Sequence, residues 1–175
     1  TFGAQGNDGT GALDPIYNTT LDIALTSDLN SVIAAINNIS YKRNGTCIEC
    51  GLRIGNSQLS SSTNKRVEIL LSDGIANHTW NGVRTTAATA AAINAANAGR
   101  SAGIDYRVLG YGQGTNINET TLVAIAGSTA NYKYKPNPSD WSAAFLEILN
   151  DICKTPTPSP VPSPKPTTIS VSADS

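Results

Sequence analysis

The sequence predicts an α/β protein with a doubly wound, mainly parallel sheet, an antiparallel edge strand and helices on both faces. Short apolar runs that end at glycine alternate with longer segments whose apolar residues recur every three or four positions. The 175 residues suit one domain with a tail. Alternating strands and helices favour a parallel sheet, because each connecting helix packs across a face of the sheet.

Three strands are predicted inside this sheet. The clearest covers residues 66–72, a near-continuous apolar run closed by Asp73 and Gly74, as expected for a strand buried on both faces. The second covers residues 104–111 and ends at a run of glycines, and a weaker third covers residues 130–134.

The edge strand is predicted before these three. Residues 18–25 alternate apolar with polar side chains, a pattern typical of a strand with one solvated face. Residues 5–11 are then expected to form a loop that joins it to a strand ending near Phe2.

The helices are predicted from apolar periodicity and from their end signals. The first begins after Asp28, an N-cap residue, and carries Leu29, Val32, Ile33 and Ile36 on one face. An alanine-rich helix ends before Gly103, a typical residue after a helix C-terminus. The later helices are predicted at residues 83–102, 118–126 and 139–153.

The composition changes sharply after residue 154. We therefore divide the chain into a domain at residues 1–154, a Pro-rich linker at 155–166 and a tail at 167–175. Six prolines in twelve linker positions favour extended polyproline II, which would span roughly 35 Å. In the tail, Ile169, Val171 and Ala173 alternate with serines, which predicts a strand or the start of a following module.

Composition favours an extracellular or cell-surface protein. Charged residues make up 14% of the chain, against about 25% in soluble domains, and there are 17 Asn, 17 Ser and 19 Thr. The net charge of −1 gives no basic surface for nucleic acid, and no apolar run reaches the ~18 residues of a membrane span. The chain starts without Met or a leader pattern, so we expect it to be processed or truncated.

Five asparagines stand in N-x-S/T sequons. Chance alone would give roughly 3.5 such matches, so the sequons permit glycosylation without arguing for it. The glycosylation candidates are Asn18, Asn38, Asn44, Asn77 and Asn118.

The three cysteines point to disulfide chemistry. Cys47 and Cys50 form a Cys-x-x-Cys pair at a helix start, but structural disulfides are the default in an exported protein. We expect one disulfide that involves Cys153, with the pairing open. The unpaired thiol would then form an intermolecular bridge or pair with sequence beyond this chain. His78, without a visible catalytic partner, is expected at the surface.

Four short motifs in order resemble the von Willebrand factor type A domain over residues 1–153. Residues 1–3 resemble the end of that family's second strand, and residues 44–46 resemble its Gly-Gly-Thr turn before a helix. Residues 70–74 resemble its hallmark strand end, and residues 108–112 its next strand. The resemblance implies a doubly wound sheet with a divalent cation at the carboxyl edge of the strands.

Two of the family's metal ligands correspond to Thr46 and Asp73. The other ligands belong to an Asp-x-Ser-x-Ser turn that this sequence lacks, together with the family's first strand and helix. Mg²⁺ or Ca²⁺ would bind only if these missing ligands are supplied. Otherwise Asp73 is a turn residue and Thr46 the N-cap of the following helix.

The missing first strand leaves a gap in the predicted sheet. Each buried, unpaired backbone group costs about 1–3 kcal/mol, so the gap must be filled. Either residues beyond this sequence fill it, which we favour, or a neighbouring molecule donates a strand, for which residues 169–173 are the candidate.

These features predict a non-enzymatic, extracellular structural subunit of a surface filament or fibre, with copies of itself or other surface proteins as partners. The alternative is a cell-surface adhesion module that binds a protein or glycan through a divalent cation. An enzyme is disfavoured because the sequence offers no nucleophile–base pair and no cofactor motif.

Overall fold

The computed structural model describes residue 19, residues 21–39 and residues 45–154. Within them a three-stranded parallel sheet is combined with five α-helices. The strands are β1 (Arg66–Ser72), β2 (Ile104–Gly110) and β3 (Tyr132–Tyr134). The helices are α1 (Leu29–Asn37), α2 (Ile48–Leu59), α3 (Ala88–Ser101), α4 (Glu119–Ala126) and α5 (Trp141–Cys153). The predicted α/β fold with a parallel sheet is confirmed.

The strands lie in the order β1-β2-β3. Arg66 is opposite Ile104 in the first pair, and Val108 is opposite Tyr132 in the second. One face of the sheet packs against α2, α3 and α4 and forms the main core. That core contains Leu52 of α2, Ala92 of α3 and Leu122 of α4, together with Leu70, Tyr106 and Val108 of the strands.

The other face of the sheet is covered by α5. Leu109 follows Val108 in β2, so its side chain points to the other face of the sheet. Leu109 is fully buried, as is Ala144 of α5. Lys133 of β3 forms an ion pair with Glu147 of α5 at 2.9 Å. Helices therefore lie on both faces, as the sequence predicts.

The predicted edge strand at residues 18–25 is wrong for the part that the structure describes. Thr19 and residues 21–25 form bends and irregular chain. A strand needs a neighbour with which to pair its backbone, and no described strand pairs with this segment. Instead Leu21 and Ile23 line a cavity of about 300 Å³ between this segment, α1 and α2.

The helix predicted at residues 83–102 begins later, at Ala88. Residues before it are held in a loop by a β-bridge between His78 and Arg84, and the Ala87 N–H donates to Thr85 Oγ1 at 3.1 Å. The first helix is confirmed, with Asp28 Oδ1 accepting from the Asn30 N–H at 3.0 Å. Its apolar residues are nevertheless exposed, and no residue of α1 is buried.

The strand near Phe2, the loop at 5–11, the linker at 155–166 and the tail at 167–175 lie outside the described residues. The same holds for the sequon asparagines Asn18 and Asn44.

Candidate functional site at the carboxyl edge of the sheet

The turn after β1 brings Asp73 to the carboxyl edge of the sheet. Its Oδ1 accepts from the Ile75 N–H at 3.0 Å, and its carbonyl oxygen accepts from the Asn118 N–H at 2.7 Å. Gly74 sits between these contacts with φ at +78°, and a Cβ there would lie 2.6 Å from the Asn118 carbonyl oxygen. Glycine is therefore required where the turn passes under the start of α4.

Thr46 is fastened to the loop that follows Asp73. Asn77 Oδ1 accepts from the Thr46 N–H at 2.7 Å. The Thr46 carbonyl in turn accepts from the backbone N–H groups of Asn77 and His78, at 3.0 and 3.1 Å. Three hydrogen bonds thus bring the segment before α2 to the sheet edge that also carries Asp73.

Thr46 is not the N-cap of α2, so that alternative is wrong. The cap is Cys47, whose Sγ accepts from the Cys50 N–H at 3.2 Å. Its sulfur occupies the cap position because the chain turns into the helix one residue later than predicted. The Thr46 side chain is thereby left out of the capping interaction.

The described residues by themselves do not fit a divalent cation. A magnesium ion needs about six oxygen ligands in near-octahedral geometry. Asp73 supplies one carboxylate with Oδ1 already engaged, and no group of three or more His, Cys, Asp or Glu side chains comes together in the described ranges. Asp73 and Thr46 therefore remain predicted ligands of an incomplete set.

The disulfide joins Cys47 to Cys50, whose Cα atoms lie 5.2 Å apart. Cys153 is a free, exposed thiol, so the expectation that it forms the bond is wrong. The reason is local: a separation of three residues at the helix start places both sulfurs on one side of α2. The sequence alone did not exclude a longer-range pairing with Cys153.

Trp80 covers this disulfide in a cluster that sequence reasoning missed. Trp80 packs against Cys47 and Cys50, and the Arg53 guanidinium lies 4.7 Å from its ring centroid. Glu49 Oε2 accepts from the Trp80 N–H at 2.8 Å, while Oε1 pairs with Arg53 at 3.2 Å. The i, i+4 spacing of Glu49 and Arg53 was the available signal, but nothing in the sequence linked it to Trp80.

His78 is buried, at 4% exposure, so the expectation of a surface histidine is wrong. Its Nδ1 lies 2.6 Å from Asn77 Oδ1, in the loop that closes over Thr46. Burial lowers the pKa of His78, and the nearby Arg84 charge lowers it further.

Two sequon asparagines have structural roles at the same edge. Asn77 Oδ1 holds Thr46, as above, and Asn118 Oδ1 caps α4 by accepting from the Thr121 N–H at 3.1 Å. In an N-linked glycan the sugar is attached to Nδ2, so these bonds to Oδ1 are compatible with one. Asn38 lies in the exposed turn that ends α1.

Together these observations define a parallel α/β domain in which Asp73 bonds Asn118 at the start of α4 and Thr46 bonds the loop after Asp73. The family model of the von Willebrand factor type A domain matches residues 17–151, and the chain belongs to this family.

Solved structures share this fold. The pilus adhesin SpaC from Lactobacillus rhamnosus GG is similar, with 16% identity, a TM-score of 0.60, and coverage of 74% of this chain and 22% of that chain. Manganese-loaded TRAP protein of Plasmodium vivax has 22% identity and a TM-score of 0.51, covering 69% and 46% of the two chains. Proximal thread matrix protein 1 from the mussel byssus, with a zinc-occupied MIDAS motif, has 20% identity and a TM-score of 0.55, covering 71% and 30%.

The chain spans less than half the length of each of these three proteins. No curated protein matches it. None of the helices in the described ranges is both long enough and apolar enough to cross a membrane.

Proposed function

We propose that this chain is a non-enzymatic structural module of an extracellular filament or fibre. The observation that carries the proposal is the outer edge of β1. Ser72 O accepts from the Tyr111 N–H at 3.2 Å, so Ser72 faces β2. Alternate residues of a parallel strand bond to opposite neighbours, which directs the backbone groups of Val67, Ile69 and Leu71 to the outer edge.

That edge is an acceptor for another strand. No described strand pairs with it, and the side chains of Val67, Ile69 and Leu71 are half-buried. An apolar edge with free N–H and C=O groups is a template for strand addition. In the whole protein a further strand covers β1, either from elsewhere in the same polypeptide or from residues 169–173 of a neighbouring copy.

Of these two sources of the covering strand, donation by a neighbouring copy is the one that would link molecules into a fibre. The predicted polyproline II spacer of twelve residues, roughly 35 Å long, would be stiff and longer than the ~23 Å of β1. Such a spacer favours delivery to another molecule over folding back. The relatives include a pilus adhesin and a byssus matrix protein, which supports an extracellular assembly without identifying it.

Electron microscopy of the purified chain tests this proposal. We expect ordered assemblies from the full chain and none from a chain ending at residue 154. Substituting Ile169→Asp and Val171→Asp together should also abolish assembly, whereas Thr157→Asp in the linker should not. Assemblies that persist after truncation would count against donation by the tail, and a monomeric full chain would count against the structural role.

The second proposed function is adhesion through a divalent cation, supported by the hydrogen bonds that join Thr46 to the loop after Asp73. It requires further ligands from outside the described residues. Titration of the longest native polypeptide with Mg²⁺ and Mn²⁺ tests it: Asp73→Ala should abolish binding and Asp140→Ala should not. Equal binding by both variants would remove Asp73 from the site.

A further inference from the structure

A carboxyl group lies between α2 and the sheet. Glu68 stands in the middle of β1, opposite Tyr106 of β2, and its side chain points toward α2. A Cβ added to Gly55 would lie 2.5 Å from the Glu68 carboxyl carbon. The carboxyl group therefore packs directly against the α2 backbone, in the space left by the missing Cβ of Gly55.

One oxygen of this half-buried side chain lacks the partner that a buried charge needs. Glu68 Oε2 is buried and has no hydrogen-bond partner among the described residues. Burial raises the pKa of Glu68 from 4.5 to about 8. An unpaired carboxylate costs several kcal/mol to bury, so the closed arrangement favours the protonated, neutral acid.

The surrounding charged and titratable groups do not compensate the Glu68 charge. The Tyr106 hydroxyl donates to Asn56 Oδ1, and burial followed by the nearby Glu68 charge raises the pKa of Tyr106 to about 12. Arg100 of α3 lies over the Tyr106 ring, but it donates to the Ala124 and Ile125 carbonyls. On α2 itself, Glu49 and Arg53 pair with each other beside Trp80.

The start of α2 also lies near the carboxyl edge of the sheet, beside the candidate site. Thr46 and the Cys47–Cys50 disulfide lie at its start, and Arg53 stacks on Trp80. Any movement of α2 away from the sheet therefore displaces the segment that contains Thr46.

We propose that the contact between Glu68 and Gly55 is a proton-dependent switch: α2 stays closed on the sheet while the Glu68 carboxyl is protonated, and opens when it ionises. The switch is independent of which proposed function holds, because it acts on the position of α2 in the folded domain.

The direction of the pH dependence follows from linkage. The closed state binds the proton more tightly than the open state, where Glu68 is solvated and has its ordinary pKa near 4.5. The stabilising effect of the proton is complete below that value. Between 4.5 and about 8 the open fraction rises about tenfold per pH unit, and above about 8 it levels off.

Hydrogen exchange of the α2 amides, corrected for intrinsic rates, tests the switch in the full chain. We expect α2 protection to fall about tenfold per pH unit from weakly acidic to weakly basic pH, relative to α4 amides. Glu68→Gln, which is neutral and similar in shape, should remove this dependence. The matched control Glu147→Gln, at an exposed ion pair on α5, should retain it.

A second measurement keeps the test valid if Glu68→Gln does not fold. NMR titration of the Glu68 carboxyl carbon in the unmodified protein should show a midpoint well above 4.5. Fluorescence of Trp80, read in a Trp141→Phe variant, should change over the same interval. A midpoint near 4.5, or an unchanged α2 profile in Glu68→Gln, would overturn the proposal.

Discussion

Two glycines on neighbouring helices let polar side chains enter the packed layer between α2, α3 and the sheet. Gly55 makes room for the Glu68 carboxyl, and Gly99 makes room for the Tyr106 hydroxyl. Tyr106 is 1% exposed, and its hydroxyl is satisfied by Asn56, whose Nδ2 donates to the Ala95 carbonyl at 3.1 Å. At the residue scale, small side chains on the helices are thus matched to large polar ones on the strands.

Gly99→Ala tests this matching. Alanine favours a helix over glycine by about 1 kcal/mol, but the new Cβ would overlap the Tyr106 hydroxyl. We expect the overlap to dominate and to lower the free energy of unfolding by about 1–3 kcal/mol in urea titrations. Asn94→Ala, at an exposed position of the same helix, should leave stability equal or slightly higher. A gain in stability for Gly99→Ala would contradict the close packing.

At the scale of elements, two helices that start at the sheet edge are capped by side chains that also have another role. Cys47 caps α2 and forms the disulfide with Cys50. Asn118 caps α4 and is the asparagine of a glycosylation sequon. Each cap satisfies N–H groups that the first helical turn cannot pair internally. The loops that could contact a ligand are therefore anchored to helix N-termini.

Asn118→Ala should destabilise the protein by about 1 kcal/mol, because the cap to the Thr121 N–H is lost. Thr120→Ala is the matched control, since it removes the sequon and leaves the cap. The unfolding temperatures of both variants separate the stabilising effect of the helix cap from any effect of a glycan. Equal losses in the two variants would attribute the change to glycosylation.

Reduction of the disulfide should lower the free energy of unfolding by roughly 2 kcal/mol, the value expected for a loop of about four residues. Under native, non-reducing conditions a thiol reagent should label one cysteine per chain, Cys153. Denaturant titrations with and without reductant, and mass spectrometry of the labelled peptide, measure these two effects. Labelling of Cys47 or Cys50 without reductant would refute the pairing.

At the scale of the whole molecule, the buried His78 and the half-buried Glu68 have opposite effects on the pH dependence of stability. The lowered pKa of His78 keeps it neutral in the folded state, so its contribution to stability is present above about 6.5 and is lost as the pH falls. The raised pKa of Glu68 acts in the reverse direction between 4.5 and about 8. Both groups therefore contribute to the pH dependence of stability.

Since His78 is the single histidine of the chain, its effect can be isolated in a Glu68→Gln background. Acidification from about pH 7 to about pH 5 should then lower stability by at most about 1.4 kcal/mol per pH unit. Adding His78→Gln should flatten this slope in urea titrations. An unchanged slope would show that other groups control the acid response.

Some features of the fold follow from local sequence. The apolar run before Asp73 predicted β1, the Asp28 cap signal predicted where α1 begins, and the helix predicted at residues 118–126 is confirmed as α4. These predictions held because hydrophobic periodicity and capping act over a few residues. The family resemblance likewise depended on short motifs in order, and Thr46 and Asp73 stay predicted metal ligands.

Other features depended on residues distant in the chain. The burial of His78, the packing of Trp80 on the disulfide and the unpaired Oε2 of Glu68 all arise where separate segments meet. The sequence by itself determined the α/β class, the order of its main elements and the strand-edge turns. Tertiary packing decided which side chains lose water and which partners they find there, because desolvation depends on every neighbouring segment at once.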